Sequence, residues 1–216
     1  MQLLSVNAGL PREVQWQGRT VRTSIWKHPV PGRVRLGRLD LEGNGQADLS
    51  VHGGPDKAAY AYPSEHYAYW REELPGMDLP AGAFGENLTI AGLPESEVHI
   101  GDRFRIGTAE VMVTQPRMPC YKLGIRFGRA DMVRRFLRSG RCGFYLAVLK
   151  EGEIGAGDAI ERLSTDARRF GVPAMFALRS DERADAEMLR AAIELPALAA
   201  SWREHFRERL ARLGAA

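Results

Sequence analysis

Glu110-Val111-Met112-Val113-Thr114-Gln115-Pro116-Arg117-Met118-Pro119-Cys120-Tyr121-Lys122-Leu123-Gly124 changes character partway along. Its first five residues alternate polar and apolar side chains, the period of a strand with one face in a core. Proline has no backbone N–H to give to a sheet ladder, so Pro116 and Pro119 end that strand and hand over to a loop. The prolines also fix φ and restrict the residues before them, which makes the loop stiff. Such a loop holds Cys120 at fixed geometry between Arg117 and Lys122, two cations that favour a thiolate. On these residues alone two readings stay open: a reactive or metal-binding thiolate, and a small buried apolar thiol.

Around this stretch, residues 1 to about 163 read as short strands divided by Gly and Pro. Residues 21–25 and 34–39 carry period two with Pro29-Val30-Pro31-Gly32 between them, and 88–90, 103–106, 111–113 and 144–148 continue the series. Residues 41–48, taken singly, read as a hairpin around Asn44-Gly45. Two helices interrupt the strands. One follows Ser64 as N-cap, with Tyr67, Trp70, Arg71 and Leu74 at helical spacing and Pro75-Gly76 as its stop. The other spans 130–139 before Gly140, with Met132, Val133, Phe136 and Leu137 on one face and Arg134, Arg135 and Arg138 as a solvated one. The aromatic cluster at Tyr60, Tyr62, Tyr67, Tyr69 and Trp70 reads as a half-buried helix on a strand. Beyond Leu163 strand patterning stops, and 172–179, 185–194 and 196–213 read as three helices, the last with Pro196 in its first turn. The predicted class is mainly β with helices (α+β): a β-barrel domain over 1–163 and a small helical unit over 164–216 that docks on the barrel or on another subunit.

A chain of 216 residues with 44% hydrophobic and 26% charged side chains has the composition of an ordinary globular protein. The longest apolar run, Cys142 to Leu149, is broken by Gly143 and is far below the ~20 residues a membrane helix needs. The N-terminus lacks a cationic stretch followed by an apolar core, so the expected address is cytoplasmic, with both cysteines as thiols. A formal charge of +3 spread over scattered arginines does not call for nucleic acid and suits a small phosphorylated ligand.

Three further stretches have a composition that folding alone does not require: Leu41 to Asp48, His52-Gly53-Gly54-Pro55-Asp56-Lys57, and Phe84-Gly85-Glu86-Asn87-Leu88. Paired glycines let an anion approach backbone N–H groups and Lys57 adds a point charge. Asn87 offers donors and an acceptor to a heterocycle, and Glu86 a carboxylate.

In this order, with the Cys120 loop downstream, the four stretches resemble the MOSC family, the molybdenum cofactor sulfurase C-terminal domains, and within it the YiiM-like members; the tail is similar to their three-helix domain. The resemblance implies a mixed β-barrel that binds the molybdenum cofactor in its molybdopterin form, with Cys120 as the protein's ligand to molybdenum. It implies His52, Gly54, Lys57, Asn87, Arg117, Tyr121 and Lys122 as the residues around pterin and phosphate, and Asp56 and Glu86 as proton sources beside Cys120. Cys142 matches no motif and is assigned to the core. A thiolate on a rigid loop suits a metal already held by the two dithiolene sulfurs of the pterin.

The activity implied is reduction of N-hydroxylated compounds such as hydroxylaminopurines, amidoximes and hydroxylamines, giving the amine and water. The chain has neither an iron–sulfur segment nor a dinucleotide fingerprint, so electrons come from an external transfer protein. The expected form is a monomer or homodimer without nucleic acid, membrane or pyridoxal phosphate. A cofactor carrier or sulfur-transfer protein is the alternative, since the same cysteine can carry a persulfide; turnover with an artificial reductant separates the two. A DNA-binding reading of residues 202–209 is opposed by the interleaved Glu204 and Glu208. A zinc hydrolase using Cys120 with His52 or His66 is opposed by the lack of compact ligand spacing.

Overall fold

The computed structural model describes residues 1–47, 53–181 and 185–214. In chain order the elements are β1 (Gln2–Ala8), β2 (Arg12–Trp16), β3 (Arg19–Thr23), β4 (His28–Pro29), β5 (Arg33–Leu36), β6 (Ala59–Pro63), α1 (His66–Glu73), β7 (Leu88–Ala91), β8 (Arg103–Ile106), β9 (Ala109–Pro116), α2 (Tyr121–Phe127), α3 (Met132–Ser139), β10 (Phe144–Lys150), β11 (Gly152–Gly155), β12 (Ile160–Ser164), α4 (Val172–Ser180), α5 (Ala186–Ile193) and α6 (Ala200–Arg212).

The main sheet runs β12-β8-β9-β10-β6-β7-β1-β4. It closes on itself where β1 returns to the start of β12: Leu3 N donates to Asp158 O at 2.9 Å and Ile160 N to Met1 O at 3.0 Å. Closure removes the edges that an open sheet exposes. β6 and β7 pair in parallel across the α1 crossover, while their neighbours pair antiparallel, so the barrel is mixed. Leu3, Ile90, Phe104, Val111 and Leu146 are buried in the core. The tyrosine-rich stretch packs inward with the helices: Tyr62 lies 4.9 Å from Phe84, and Trp70 stacks on Phe136 at 5.9 Å while its indole N–H donates to Tyr62 Oη at 2.6 Å.

Several boundaries differ from the sequence reading. β2 and β3 form a hairpin that pattern alone half missed, joined by Gln17 and Gly18 with φ of 49° and 75°, the left-handed pair that matches strand twist. Residues 41–48 do not form their own hairpin; the chain reverses earlier, with Gly37 N donating to Asp40 O at 3.0 Å and Leu41 bridging back to Leu36, and Asp48 lies outside the described residues. Ser64 does not cap α1, whose N-cap is Glu65. On α3, Arg135 is not merely solvated: it pairs with Asp131 at 2.7 Å and Glu73 at 3.0 Å. Pro196 sits in the turn before α6, because that turn carries Leu195 and Leu198 into the core and the helix starts only at Ala200.

β12 ends at Ser164 and α4 starts at Val172. The connection is tied to the barrel, with Ile100 N donating to Phe170 O and Val172 N to Val98 O, both at 2.9 Å. Trp202 and Phe206 of α6 are buried. Its arginines are engaged at home: Arg207 pairs with Glu204 at 3.3 Å, and Arg209 donates to Leu178 O at 2.6 Å. Among the described residues no helix is long and apolar enough to cross a membrane.

Candidate functional site

β9 delivers the site. Its last residue, Pro116, lies opposite Phe144 on β10, and Arg117 N still donates to Gly143 O at 3.3 Å before the chain leaves the sheet. The loop is shorter than the sequence implies: after 117–119 the chain turns into α2, with Cys120 as its N-cap in extended conformation and its carbonyl accepting from Leu123 N at 2.9 Å. The thiol is thus held by a strand end on one side and a helix start on the other. Gly124 lies inside that helix because an added Cβ would stand 2.9 Å from Arg129 O.

Cys120 borders a cavity of about 370 Å³, whose wall includes Lys27, Lys57, Arg117, Lys122 and, from the helical unit, Arg179. Among the described residues no aspartate or glutamate lines it. Five cationic side chains around one thiol without a lining carboxylate make an anion-binding site. Arg117 is almost fully buried, with its guanidinium 4.8 Å from the ring centre of Phe136 and 5.1 Å from that of Tyr60. Burial pulls its pKa down, but Tyr60, Tyr145 and Cys120 outweigh that and leave it raised, so it stays charged. Burial pushes the phenols of Tyr60 and Tyr145 upward, and both are neutral at pH 7. Two buried atoms of residues on this wall have no hydrogen-bond partner among the described residues, Gln115 Oε1 and Arg117 Nη1. An acceptor and a charged donor left unsatisfied on one cavity wall are what a polar ligand satisfies.

Lys27 is a wall residue that sequence reasoning missed. It is 7% exposed, and its Nζ donates to Asn44 Oδ1. Asn44 is fixed in turn by Asp40, which accepts from its Nδ2 at 2.5 Å, and by Gly9 N, which donates to its Oδ1 at 3.1 Å. The stretch from Leu41 onward thereby serves to position Lys27. Burial lowers the Lys27 pKa to about 8, against the pull of Asp40 and Glu86. Burial also lowers that of Lys57, against Asp56. A lone lysine after a strand carries no pattern that announces it.

Of the residues singled out in the sequence, Cys120, Lys57, Asn87, Arg117 and Lys122 meet on this cavity. His52 lies outside the described residues. Gly54 stands one residue back from the wall, its φ of 85° starting the tight turn Pro55–Lys57, and Gly53 lines the cavity in its place. Tyr121 is 55% exposed and off the wall, because α2 turns it outward. Asp56 is off the wall too; its carbonyl accepts from Thr114 Oγ1 at 2.6 Å. Glu86 is fully buried behind Gly85, accepting from Gly82 N at 2.8 Å, Phe84 N at 3.0 Å, Thr89 Oγ1 at 3.0 Å and the Tyr67 hydroxyl. Desolvation raises its pKa against the hydrogen bonds from Tyr67, its own backbone N–H, Gly82 and Thr89. It clamps the 82–89 segment and does not face the cavity. Asn87 does face it, while its Oδ1 accepts from Tyr60 N at 3.2 Å. Cys142 is completely buried, its thiol pKa held well up by desolvation. His66 is paired with Glu95 at 2.7 Å, and no cluster of three or more His, Cys, Asp or Glu side chains able to hold a metal exists among the described residues.

The helical unit completes the wall with Arg179 from α4 and Ser201 and Trp202 from α6, so the site is not confined to the barrel. The motifs read from sequence all precede residue 125 and gave no sign of this.

Residues 48–161 match the family model described as MOSC domain, and residues 172–213 match that described as YiiM-like, 3-alpha helix domain. The chain is 44% identical over 214 residues to the uncharacterized protein YflK of Bacillus subtilis (strain 168), covering 98% of this chain and 95% of that one. It is 35% identical over 173 residues to a protein named "Reductase" from Gibberella moniliformis (strain M3125 / FGSC 7600), covering 79% of this chain and 30% of that longer one. The crystal structure of YiiM from Geobacillus stearothermophilus superposes with a TM-score of 0.82 at 37% identity, covering 97% of this chain and 98% of the other.

Proposed function

Because the chain belongs to the MOSC domain family and carries the YiiM-like three-helix domain behind the barrel, we propose that it binds the molybdenum cofactor in the Cys120 cavity and reduces N-hydroxylated compounds to amines. The observation that carries the proposal is the cavity wall: a thiol and five cations, no lining carboxylate among the described residues, and two buried polar atoms awaiting a partner. The fit is chemical. The cofactor is polyanionic and brings its own pair of sulfur ligands, which suits a wall with one thiol and no metal-binding cluster. The fungal relative's name supports a reductase over a carrier.

When bound, the cofactor supplies a two-electron centre able to take up oxygen from an N–OH group. Cys120 would give the protein's sulfur to the metal, and α2 with the proline-stiffened loop fixes its position. Arg117, Lys57 and Lys122 would offset the negative charge of the cofactor, and Gln115 Oε1, which has no partner among the described residues, would offer an acceptor on the same wall. The overall change, R–NHOH plus two electrons and two protons giving R–NH2 and water, needs a proton source. Asp56 and Glu86 do not reach the cavity, so that role falls to Lys27: with a pKa of about 8 it is mainly ammonium at pH 7 and releases a proton from Nζ more readily than an exposed lysine. Electrons come from an external transfer protein, and the protein works as a monomer or homodimer in the cytoplasm.

The test is turnover. Protein loaded in a cofactor-producing host and given a strong artificial donor reduces an N-hydroxy panel, followed by chromatography of the amine. A fully loaded, reducible protein inert towards the whole panel would place the chain with carriers or sulfur-transfer proteins.

A further inference from the structure

α4 and α6 frame a second depression of about 620 Å³ against Met118 and Leu137. Arg179 and Met118 line this groove and the Cys120 cavity alike, so the two adjoin across a shared wall. Both volumes are those of small-ligand sites.

Among the described residues the groove is predominantly cationic. Arg179, Arg209 and Arg212 line it with a single carboxylate, Asp181, and none of the three arginines is in an ion pair among the described residues. Arg209 is oriented by backbone, its Nη1 donating to Leu178 O and its Nη2 to Asp181 O, both at 2.6 Å. Arg212 is held through Nε, which donates to Glu208 O at 3.2 Å. His205 lines the same groove, with Nε2 buried and without a hydrogen-bond partner among the described residues. Desolvation first, then Arg179, Arg209 and Arg212 against the opposing pull of Glu208, lowers the His205 pKa and leaves the ring neutral at pH 7. Like charges held together beside an unpartnered imidazole nitrogen are unfavourable until an anion enters, and guanidinium forks match a phosphate's oxygens.

We propose that this groove seats the phosphate monoester of the substrate, so that the preferred substrates are N-hydroxylated nucleotides, with the base entering the Cys120 cavity across Arg179. The proposal rests on the reductase reading for its substrate class. Three guanidinium groups and a buried imidazole nitrogen lining one groove of this volume fit a small phosphate.

Two arms test it on the full-length protein. In the first, adenosine 5′-monophosphate is titrated while the His205 ring is followed by NMR. A bound dianion favours the imidazolium, so the His205 pKa rises with the monophosphate and stays in place with adenosine; no His205 response to the monophosphate overturns the site, whatever the enzyme turns over. In the second, kcat/KM is compared for N6-hydroxyadenosine and its 5′-monophosphate on loaded protein. The monophosphate is favoured about tenfold or more, and Arg212→Gln and His205→Asn each reduce that ratio about tenfold. Equal kcat/KM for the two compounds overturns the substrate assignment while leaving the reductase reading intact. If neither is reduced but His205 responds, the reductase reading fails and the phosphate site stands. Release of one nucleotide per molybdenum from denatured protein assigns the groove to the cofactor and overturns the proposal.

Discussion

Replacing Lys27 by Met separates what the site needs from what the fold prefers. Lys27 is 7% exposed and its pKa falls from 10.5 to about 8, chiefly through desolvation. At about 1.36 kcal/mol per pH unit, holding this ammonium in the folded protein at pH 7 costs on the order of 3 kcal/mol. Methionine has a similar length and no charge, so Lys27→Met removes that cost, while Asn44 Oδ1 keeps its bond from Gly9 N. The variant, as apo protein, is therefore more stable at pH 7 by about 2–3 kcal/mol, measured by urea denaturation. The sign with pH follows from proton counts. Between about 8 and 10.5 the unfolded chain binds more protons at this residue than the folded one, so wild-type stability rises with pH across that window. The advantage of the variant is full below pH 8 and gone above pH 10.5. Its cofactor retention and turnover fall together, since one wall cation and the proposed proton donor are lost. A Lys27→Met protein no more stable than wild type at pH 7, or with a pH-independent difference, would refute the burial account.

Cys120→Ser loses most of its molybdenum, whereas Cys142→Ser keeps it and loses stability only, because the Cys142 thiol is sealed in the core; metal analysis and thermal unfolding distinguish them. Iodoacetamide labels the half-buried Cys120 of the native apo protein and not Cys142, checked by peptide mass spectrometry. Lys57→Ala and Arg117→Ala each weaken cofactor retention by about 1.5–3 kcal/mol, read as content after dialysis, and wild-type occupancy in both would remove them from the phosphate site. A chain ending near residue 165 loses the wall residues Arg179, Ser201 and Trp202 and retains less cofactor than the full chain; equal retention would show that the helical unit contributes no binding.

The strands that run through the core were legible, since Phe104 and Ile106, or Val111 and Val113, bury every second side chain and leave their period in the sequence. β2 was not, because its outer positions are Arg12 and Glu13 and its turn is Gln17-Gly18 rather than a strong turn pair. α2 was hidden by its seven-residue length, its internal Gly124 and the prolines before it. At the site, resemblance of four short stretches pointed to Cys120, Lys57, Asn87, Arg117 and Lys122, which the fold gathers from the β9–α2 connection, α2 and two further loops. The same resemblance gave Asp56, Glu86 and Tyr121, but a residue within a matching stretch need not face the cavity: Glu86 points into a nest of four donors, and Tyr121 into solvent. Lys27, Arg179 and Trp202 reach the wall through tertiary packing, which no local pattern records.

The central claim is that Cys120 binds the metal of a molybdenum cofactor held in this cavity. X-ray absorption at the molybdenum edge, on wild type and Cys120→Ser prepared in the same cofactor-producing host, counts the sulfur ligands directly. The expected result is molybdenum in wild type with one sulfur beyond the dithiolene pair, absent from whatever metal the variant retains. Equal loading and an unchanged sulfur count in Cys120→Ser, or wild-type protein that takes up no molybdenum, would contradict the claim.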